Sequence, residues 1–321
     1  MPIIRFLKKK QKQGQPIRTC GPETHASKSG TTTMGGLIIL GATITSALLW
    51  CDLKNEYVWL SIFVLLSFGT IGAYDDWRKL ATGKADGLKA RWKFLSQALC
   101  SLVVVGAVSK LTPTELYLGV TIPFFKNLVV YLGWAYFIWG IVVIAGTSNA
   151  VNLTDGLDGL AIMPAIYVAG SFAFISYLVG HAKFANYLYI HSVPGVGELT
   201  VFLAALVGGS LGFLWYNAPP AKIFMGDTGS LSIGAVLGAV SLMTHHELVL
   251  SIVGGLFVVE TVSVILQVLF FKFGHGKRIF LMAPIHHHFE KKGWAESTIT
   301  IRFWILSFVL ALIGLSTLKL R

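Results

Sequence analysis

Charge is what this sequence lacks most. Asp, Glu, Lys and Arg make up 13% of its 321 residues, about half the share of an ordinary soluble domain. With 54% of the chain hydrophobic, there is too little polar surface for a water-soluble globule, and a polytopic membrane protein is implied. Cysteine is scarce as well. Cys20, Cys51 and Cys100 stand far apart and odd in number, which excludes a disulfide framework and a metal-ligand spacing. No repeat at solenoid periods is visible. The apolar piece Pro2 to Leu7 is too short for a signal peptide or a span. Acidic residues number 15 against 26 basic ones, a net charge of +11. In a membrane chain such an excess marks cytoplasmic loops, so no nucleic-acid partner is expected.

What is present is a series of apolar runs near the ~20 residues that a helix needs to cross a bilayer. Nine stand out, at about 34–51, 56–73, 94–111, 128–150, 160–180, 199–217, 230–245, 248–271 and 302–320. They are expected to be helices, because backbone groups in lipid must bond within their own segment. The fold class is therefore all-α, polytopic, with nine predicted transmembrane helices. Residues 1–33, with Lys8, Lys9, Lys10 and Lys12 in one run, read as a basic cytoplasmic segment, and residues 34–321 as a single integral-membrane catalytic domain. Nine spans put residues 1–33 on the same side as loops 74–93, 151–159, 218–229 and 272–301. Twenty of the 26 Lys and Arg then share that side, which the positive-inside rule makes cytoplasmic.

The polar motifs fall on that side too. Asn152-Leu153-Thr154-Asp155-Gly156-Leu157-Asp158-Gly159 lies between two spans, where Asp-Gly is also ordinary turn chemistry. Asp75-Asp76 ends a span and is followed by Arg78, Lys79, Lys84, Lys89, Arg91 and Lys93. Adjacent carboxylates repel unless a cation is near, so the pair suggests a divalent metal beside an anion-binding surface; a solvated helix end is the plain alternative. Neighbouring helical residues do not share a face, so one Asp can act while the other supports. Asp227 sits in Phe224-Met225-Gly226-Asp227-Thr228-Gly229-Ser230, where free N–H groups at a helix start suit phosphate and where Asp or Thr could equally cap the helix. Asp75, Asp76, Asp155, Asp158 and Asp227 form an oxygen-donor set that suits Mg²⁺, of which one or two would be direct ligands. His286-His287-His288 has no Cys nearby and diverging side chains, so zinc fits poorly; beside Lys277, Arg278, Lys291 and Lys292 the imidazoles suit a diphosphate or sugar phosphate. Glu260 and Gln267 are polar inside a predicted span, as a pair between helices or a mark of function. The residues alone thus point to a cytoplasmic, magnesium-dependent site for a phosphorylated substrate next to lipid.

At these motifs the sequence resembles the phospho-N-acetylmuramoyl-pentapeptide transferase family, within the polyprenyl-phosphate N-acetylhexosamine-1-phosphate transferase superfamily. The resemblance runs from about Gly14 to the C-terminus. It includes Gly14-Gln15, Arg18, Gly21-Pro22, His25, Lys28, Met34-Gly35-Gly36, Asp75-Asp76, Asn149 to Gly159, Asn217, Phe224 to Ser230 and Ala283 to Phe289. Pro284-Ile285-His286-His287-His288-Phe289-Glu290 resembles the muramoyl-pentapeptide branch in particular. The family implies attack of undecaprenyl phosphate on the β-phosphate of UDP-N-acetylmuramoyl-pentapeptide, with loss of UMP, formation of lipid I and a requirement for Mg²⁺. It implies the cytoplasmic face of a bacterial plasma membrane, contact with membrane lipids and room for a homodimer. By resemblance, Asp227 binds Mg²⁺, and Asp75 is the base or positions the lipid phosphate, with Asp76 in support. Asn152, Asp155, Gly156, Asp158, Asn217 and Phe224 line the uridine and diphosphate region. Lys28, Thr33, Gln267, His286, His287 and His288 complete the pocket, and Lys93 with Arg91 attracts phosphate. A covalent aspartyl-phosphate is the mechanistic alternative.

Two departures stand out. The family carries one more span before the Gly-Gln motif, ten in all, and this chain begins about where that span would end. A truncated reading frame, a late start codon or a nine-span variant would each account for this. Thr32 stands where the family has Pro, which would loosen the loop carrying Lys28 and Thr33. A sister transferase using UDP-N-acetylglucosamine is the nearest competing function; a transporter or an inactive scaffold is the competing class. A transporter would carry charges along a pathway within its spans, whereas here the carboxylates gather at span ends on one side.

Overall fold

The computed structural model describes residues 30–83, 87–125, 128–274 and 276–319, with Arg5 and Gln11 besides. Most of the basic segment 1–33, Lys28 included, lies outside the described residues. The helices are α1 (Gly36–Trp50), α2 (Glu56–Thr82), α3 (Ala90–Leu111), α4 (Ala135–Thr154), α5 (Ile162–Gly180), α6 (Ala182–Leu188), α7 (Leu199–Asn217), α8 (Gly226–Met243), α9 (Glu247–Val253), α10 (Gly255–Phe273), α11 (Ile285–Lys291) and α12 (Glu296–Ser316). Among the described residues eight are long and apolar enough to cross a membrane, namely α2, α3, α4, α5, α7, α8, α10 and α12, with α1 a shorter apolar companion. The chain is an all-α polytopic membrane protein. Its surface carries an apolar belt that includes Leu49, Leu66, Val103, Ile138, Val262 and Leu312, as lipid contact requires.

The nine runs correspond to these helices with three differences. The run at 128–150 opens with a strand: Val129–Tyr131 (β2) pairs antiparallel with Gly119–Thr121 (β1), Val120 opposite Val130. The β-branched residues that lengthened the apolar run belong to a hairpin, and α4 starts only at Ala135. The run at 248–271 is broken at Gly254 into α9 and α10. The polar end of α2 continues as helix to Thr82.

The length of α2 is what delivers the site. Asn55 caps it by accepting from the Tyr57 N–H at 2.9 Å, and Gly83, at φ +64°, closes it in the left-handed conformation. Its 27 residues rise about 40 Å, some 10 Å more than the hydrocarbon thickness. Asp75, Asp76 and Lys79 occupy that excess.

α8 stands at the centre. Every residue from Thr228 to Met243 is buried, and α1, α2, α4 and α5 surround it. Its glycines let neighbouring helices come close. A Cβ at Gly234 would lie 2.6 Å from the Thr147 carbonyl oxygen, and one at Gly238 2.9 Å from the Ile144 Cα, so α4 lies against α8 backbone to backbone. In lipid, where apolar surface gains little by leaving one greasy medium for another, such close approach and interhelical polar contacts hold helices together. Ser148 Oγ accordingly donates to the Leu231 carbonyl at 2.8 Å, and Asn149 Nδ2 to Gln97 Oε1 at 2.8 Å.

Candidate active site

Three helix ends meet at one end of this bundle: the last turns of α2 and α4 and the first turn of α8. Asp76, 1% exposed, accepts from the Asp227 N–H at 3.1 Å, the Thr228 N–H at 3.0 Å and the Thr228 hydroxyl at 2.8 Å. It is the N-cap of α8, supplied by another helix, and its charge meets the positive end of the helix dipole. Two of the N–H groups expected to be free for phosphate are therefore occupied, and neither Asp227 nor Thr228 is the cap. Asp75, 2% exposed, accepts from the Leu88 N–H at 2.7 Å through Oδ1 and faces inward with Oδ2. The adjacent carboxylates thus do different things.

Asp75, Asp76 and Asp227 each offer an oxygen within 4.8 Å of the other two. Two ammonium groups sit among them. Lys79 lies 2.6 Å from Asp75 and 3.1 Å from Asp227, and Lys93 lies 2.5 Å from Asp227 and 4.0 Å from Asp75. Three carboxylates this close are unstable without compensating positive charge. The all-oxygen donor set suits a hard divalent cation, and the ammonium groups hold positive charge at the same place. Lys79 was only one of six basic residues in its loop by sequence; its i+3 and i+4 spacing from Asp76 and Asp75 on a helix is the signal that singles it out.

Asn152, from the last turn of α4, donates to Asp227 Oδ1 at 3.0 Å and to Ser230 Oγ at 2.8 Å. The turn after α4 carries Asp155, whose carboxyl is pushed up to about 8 by burial and then by the charges of Asp227, Asp76 and Asp158. Asp158 and Asn217 are buried and hold backbone. Asp158 Oδ2 accepts from the Ala221 N–H at 2.9 Å, while Asn217 accepts from the Gly159 N–H at 3.1 Å and donates to the Ile223 carbonyl at 2.9 Å. They tie the 155–159 turn to the loop carrying Phe224, which is half-buried.

The start of α1 is stitched to the same loop. Phe224 N–H donates to the Thr32 carbonyl at 2.8 Å, and Gly35 and Gly36 donate to Phe224 and Met225, each at 2.9 Å. Thr32 forms a parallel bridge with Ile223 and is 3% exposed, so this backbone pairing fixes the loop without the proline ring. Thr33 receives both amide contacts of Gln11, at 3.0 and 3.1 Å, and its buried hydroxyl lies beside Gly226.

The remaining wall is α11. His286 is fully buried, with Nδ1 3.1 Å from Glu260 Oε2 and Nε2 against Gly156. His287 packs against it with ring centroids 4.1 Å apart and planes tilted by 58°, and pairs with Glu290 at 2.5 Å. His288 accepts from the Leu281 N–H at 3.1 Å, and Gln267 from the Phe280 N–H at 2.9 Å; both order the loop before α11. The structure thus gathers Asp75, Asp76, Asp227, Lys93 and Asn152 by direct contact. Arg91 stands apart, exposed, its guanidinium 5.9 Å from the Trp92 ring centroid.

Residues 58–245 match the family described as glycosyl transferase family 4. A phospho-N-acetylmuramoyl-pentapeptide-transferase of Granulibacter bethesdensis is 57% identical over 320 residues, 99% of this chain and 88% of the relative. Proteins of the same name from Rickettsia felis and Rickettsia prowazekii are each 56% identical over 319 residues, with the same coverage.

Proposed function

This chain belongs to glycosyl transferase family 4 and, within it, to the phospho-N-acetylmuramoyl-pentapeptide transferases, and we propose that its reaction runs where α2, α4 and α8 converge. The enzyme transfers phospho-N-acetylmuramoyl-pentapeptide from its UDP-linked donor to undecaprenyl phosphate, releasing UMP and leaving lipid I. The sister reaction with UDP-N-acetylglucosamine is not favoured by relatives this similar. The observation that carries the assignment of the site is the cluster of Asp75, Asp227, Lys79 and Lys93 within ion-pair distance.

Phosphoryl transfer asks a protein chiefly for positioning and charge. Asp227 would hold Mg²⁺, which would supply positive charge to the diphosphate and the departing UMP. Asp75 positions the lipid phosphate or takes its proton. Asp76 keeps the start of α8, and so Asp227, in place. Lys79 and Lys93 exchange carboxylate partners for phosphate oxygens as substrate enters. Phe224 stacks on the uracil, and Asn152, Asp155 and Gly156 line the diphosphate path, with Asp158 and Asn217 fixing the loops behind them. Thr33, Gln267, His286, His287 and His288 close the pocket, with Lys28 from the N-terminal segment. Arg91 contributes long-range attraction only. The excess of basic residues in the loops on this side supports a site that faces the cytoplasm of a bacterium, at its plasma membrane.

The test is UMP release from purified protein in detergent. Release that needs UDP-N-acetylmuramoyl-pentapeptide, undecaprenyl phosphate and Mg²⁺ together, and stops with EDTA, is the expected result. Release unaffected by EDTA would refute the metal assignment; none under any condition would refute the activity.

A further inference from the structure

Glu260 is a fully buried carboxylate on α10 that the transfer does not call on. A charge inside a span is costly and rarely retained without a task. Its contact is with His286: Oε2 lies 3.1 Å from Nδ1, with both side chains almost wholly shielded. The opposite ring nitrogen, Nε2, is buried and has no hydrogen-bond partner among the described residues. It is aimed at the turn after α4. A Cβ placed on Gly156 would run into that nitrogen, so the ring reaches its position only because residue 156 has no side chain.

We propose that Glu260 is a positioning residue for the donor substrate: it takes the Nδ1–H of His286 and thereby presents Nε2 to the UDP-linked substrate at the Asp155–Gly156 turn. Two separate observations converge on this. The unmet Nε2 is a buried polar atom of the kind that a ligand satisfies. The bare Gly156 lets that nitrogen come up against the turn that lines the donor path. A carboxylate behind an imidazole is the same device that orients histidines in metal shells and catalytic triads, fixing ring and tautomer through one nitrogen so that the other can work. Here the carboxylate reaches across from a membrane helix to a short helix outside it. The turn opposite carries Leu157 and Leu160, packed with Leu256, Ile285, Phe289 and Ile299, so the frame holding both partners is apolar and tight.

This rests on the assignment of the site to the UDP-linked donor, and the test separates the two. Glu260→Leu should raise KM for UDP-N-acetylmuramoyl-pentapeptide about tenfold, the loss of one hydrogen bond, and leave KM for undecaprenyl phosphate unmoved. Glu260→Gln, which keeps an oxygen for Nδ1–H, should restore most of the loss. Gly156→Ala should raise the donor KM as well, by displacing the ring. Glu260→Leu combined with His286→Ala should be no worse than His286→Ala alone, since both act through one imidazole. Independent of turnover, ¹⁵N spectra of labelled histidine, with the His286 ring assigned by its loss in His286→Ala, should show its Nδ1 hydrogen-bonded in the wild type and in Glu260→Gln, and that signature lost in Glu260→Leu while those of His246, His287 and His288 persist. Additive effects of the two substitutions, equal changes in both KM values, or an imidazole signature indifferent to residue 260 would overturn the proposal. A wild-type protein that releases no UMP but keeps the imidazole signature would overturn the donor assignment and leave the Glu260–His286 contact standing.

Discussion

Asp75 and Asp76 are neighbours in sequence, yet removing the charge of each should have opposite consequences. In Asp76→Asn one oxygen remains to accept, and the new NH₂ faces the N–H groups of Asp227 and Thr228, now 3.1 and 3.0 Å from the carboxylate. At least one charge-assisted hydrogen bond is lost and one buried donor is orphaned. Hydrogen bonds to charged groups are worth about 1.5–3 kcal/mol, so a loss of about 2–4 kcal/mol in stability is expected, with activity falling because Asp227 shifts. In Asp75→Asn the side-chain oxygen still accepts from Leu88, and Lys79 keeps its contact with Asp227 at 3.1 Å. Asp75 is one of three carboxylates around two ammonium groups, so losing its charge also relieves repulsion; stability should fall by less than in Asp76→Asn while UMP release is lost. The buried Cys51 thiol, at the opposite end of α1, reports the comparison: its reaction with a maleimide dye on heating follows unfolding, and UMP release follows catalysis. An Asp76→Asn protein as stable as wild type, or an Asp75→Asn protein equally destabilised, would refute the division of roles.

Asp227→Ala should abolish UMP release while the protein still inserts and purifies as a folded species. Lys79→Met removes the cation shared by the carboxylates and should cost about 3 kcal/mol in EDTA, part of it recovered on adding Mg²⁺; thermal unfolding with and without metal decides this. Gly234→Val forces α4 away from α8 and should cost about 1–3 kcal/mol, with UMP release falling because Asn152 leaves Asp227. At the far end of the bundle, burial and then the neighbouring charge of His246 hold His245 down to about 4. The unfolded chain therefore takes up a proton at about 6.5 that the folded chain refuses. Stability should fall as pH drops from about 6.5 toward 4, by up to about 3 kcal/mol, and should fall less in His245→Asn; a pH series of unfolding temperatures checks it.

Hydropathy made the membrane helices legible, because lipid leaves a helix few alternatives. It could not place what depends on partners distant in sequence. Asp76 caps a helix 151 positions away, and no local pattern announces a cap borrowed across the fold. Val129–Tyr131 merged with the following helix because strand and helix residues are equally apolar there, and Gly254 broke a run that is apolar on both sides of it. The carboxylates and histidines were visible as residue types. Their division of labour was not, since Asp158 and Asn217 hold loops in ways that only geometry reveals. Lys79 was hidden among basic neighbours until the extension of α2 put it between the carboxylates.

The burial of α8 bears on how the chain is made. A helix of glycine and serine, with Asp227 in its first turn, is a poor candidate to be released alone into lipid during synthesis. Its neighbours α1, α2 and α4 all precede it in the chain. They can already form a half-built cradle when α8 leaves the ribosome, so its insertion is an act of tertiary assembly. Because the carboxylate cluster closes only when α8 seats, a precursor stalled before that step holds no assembled reaction centre, and biogenesis itself decides when the enzyme switches on.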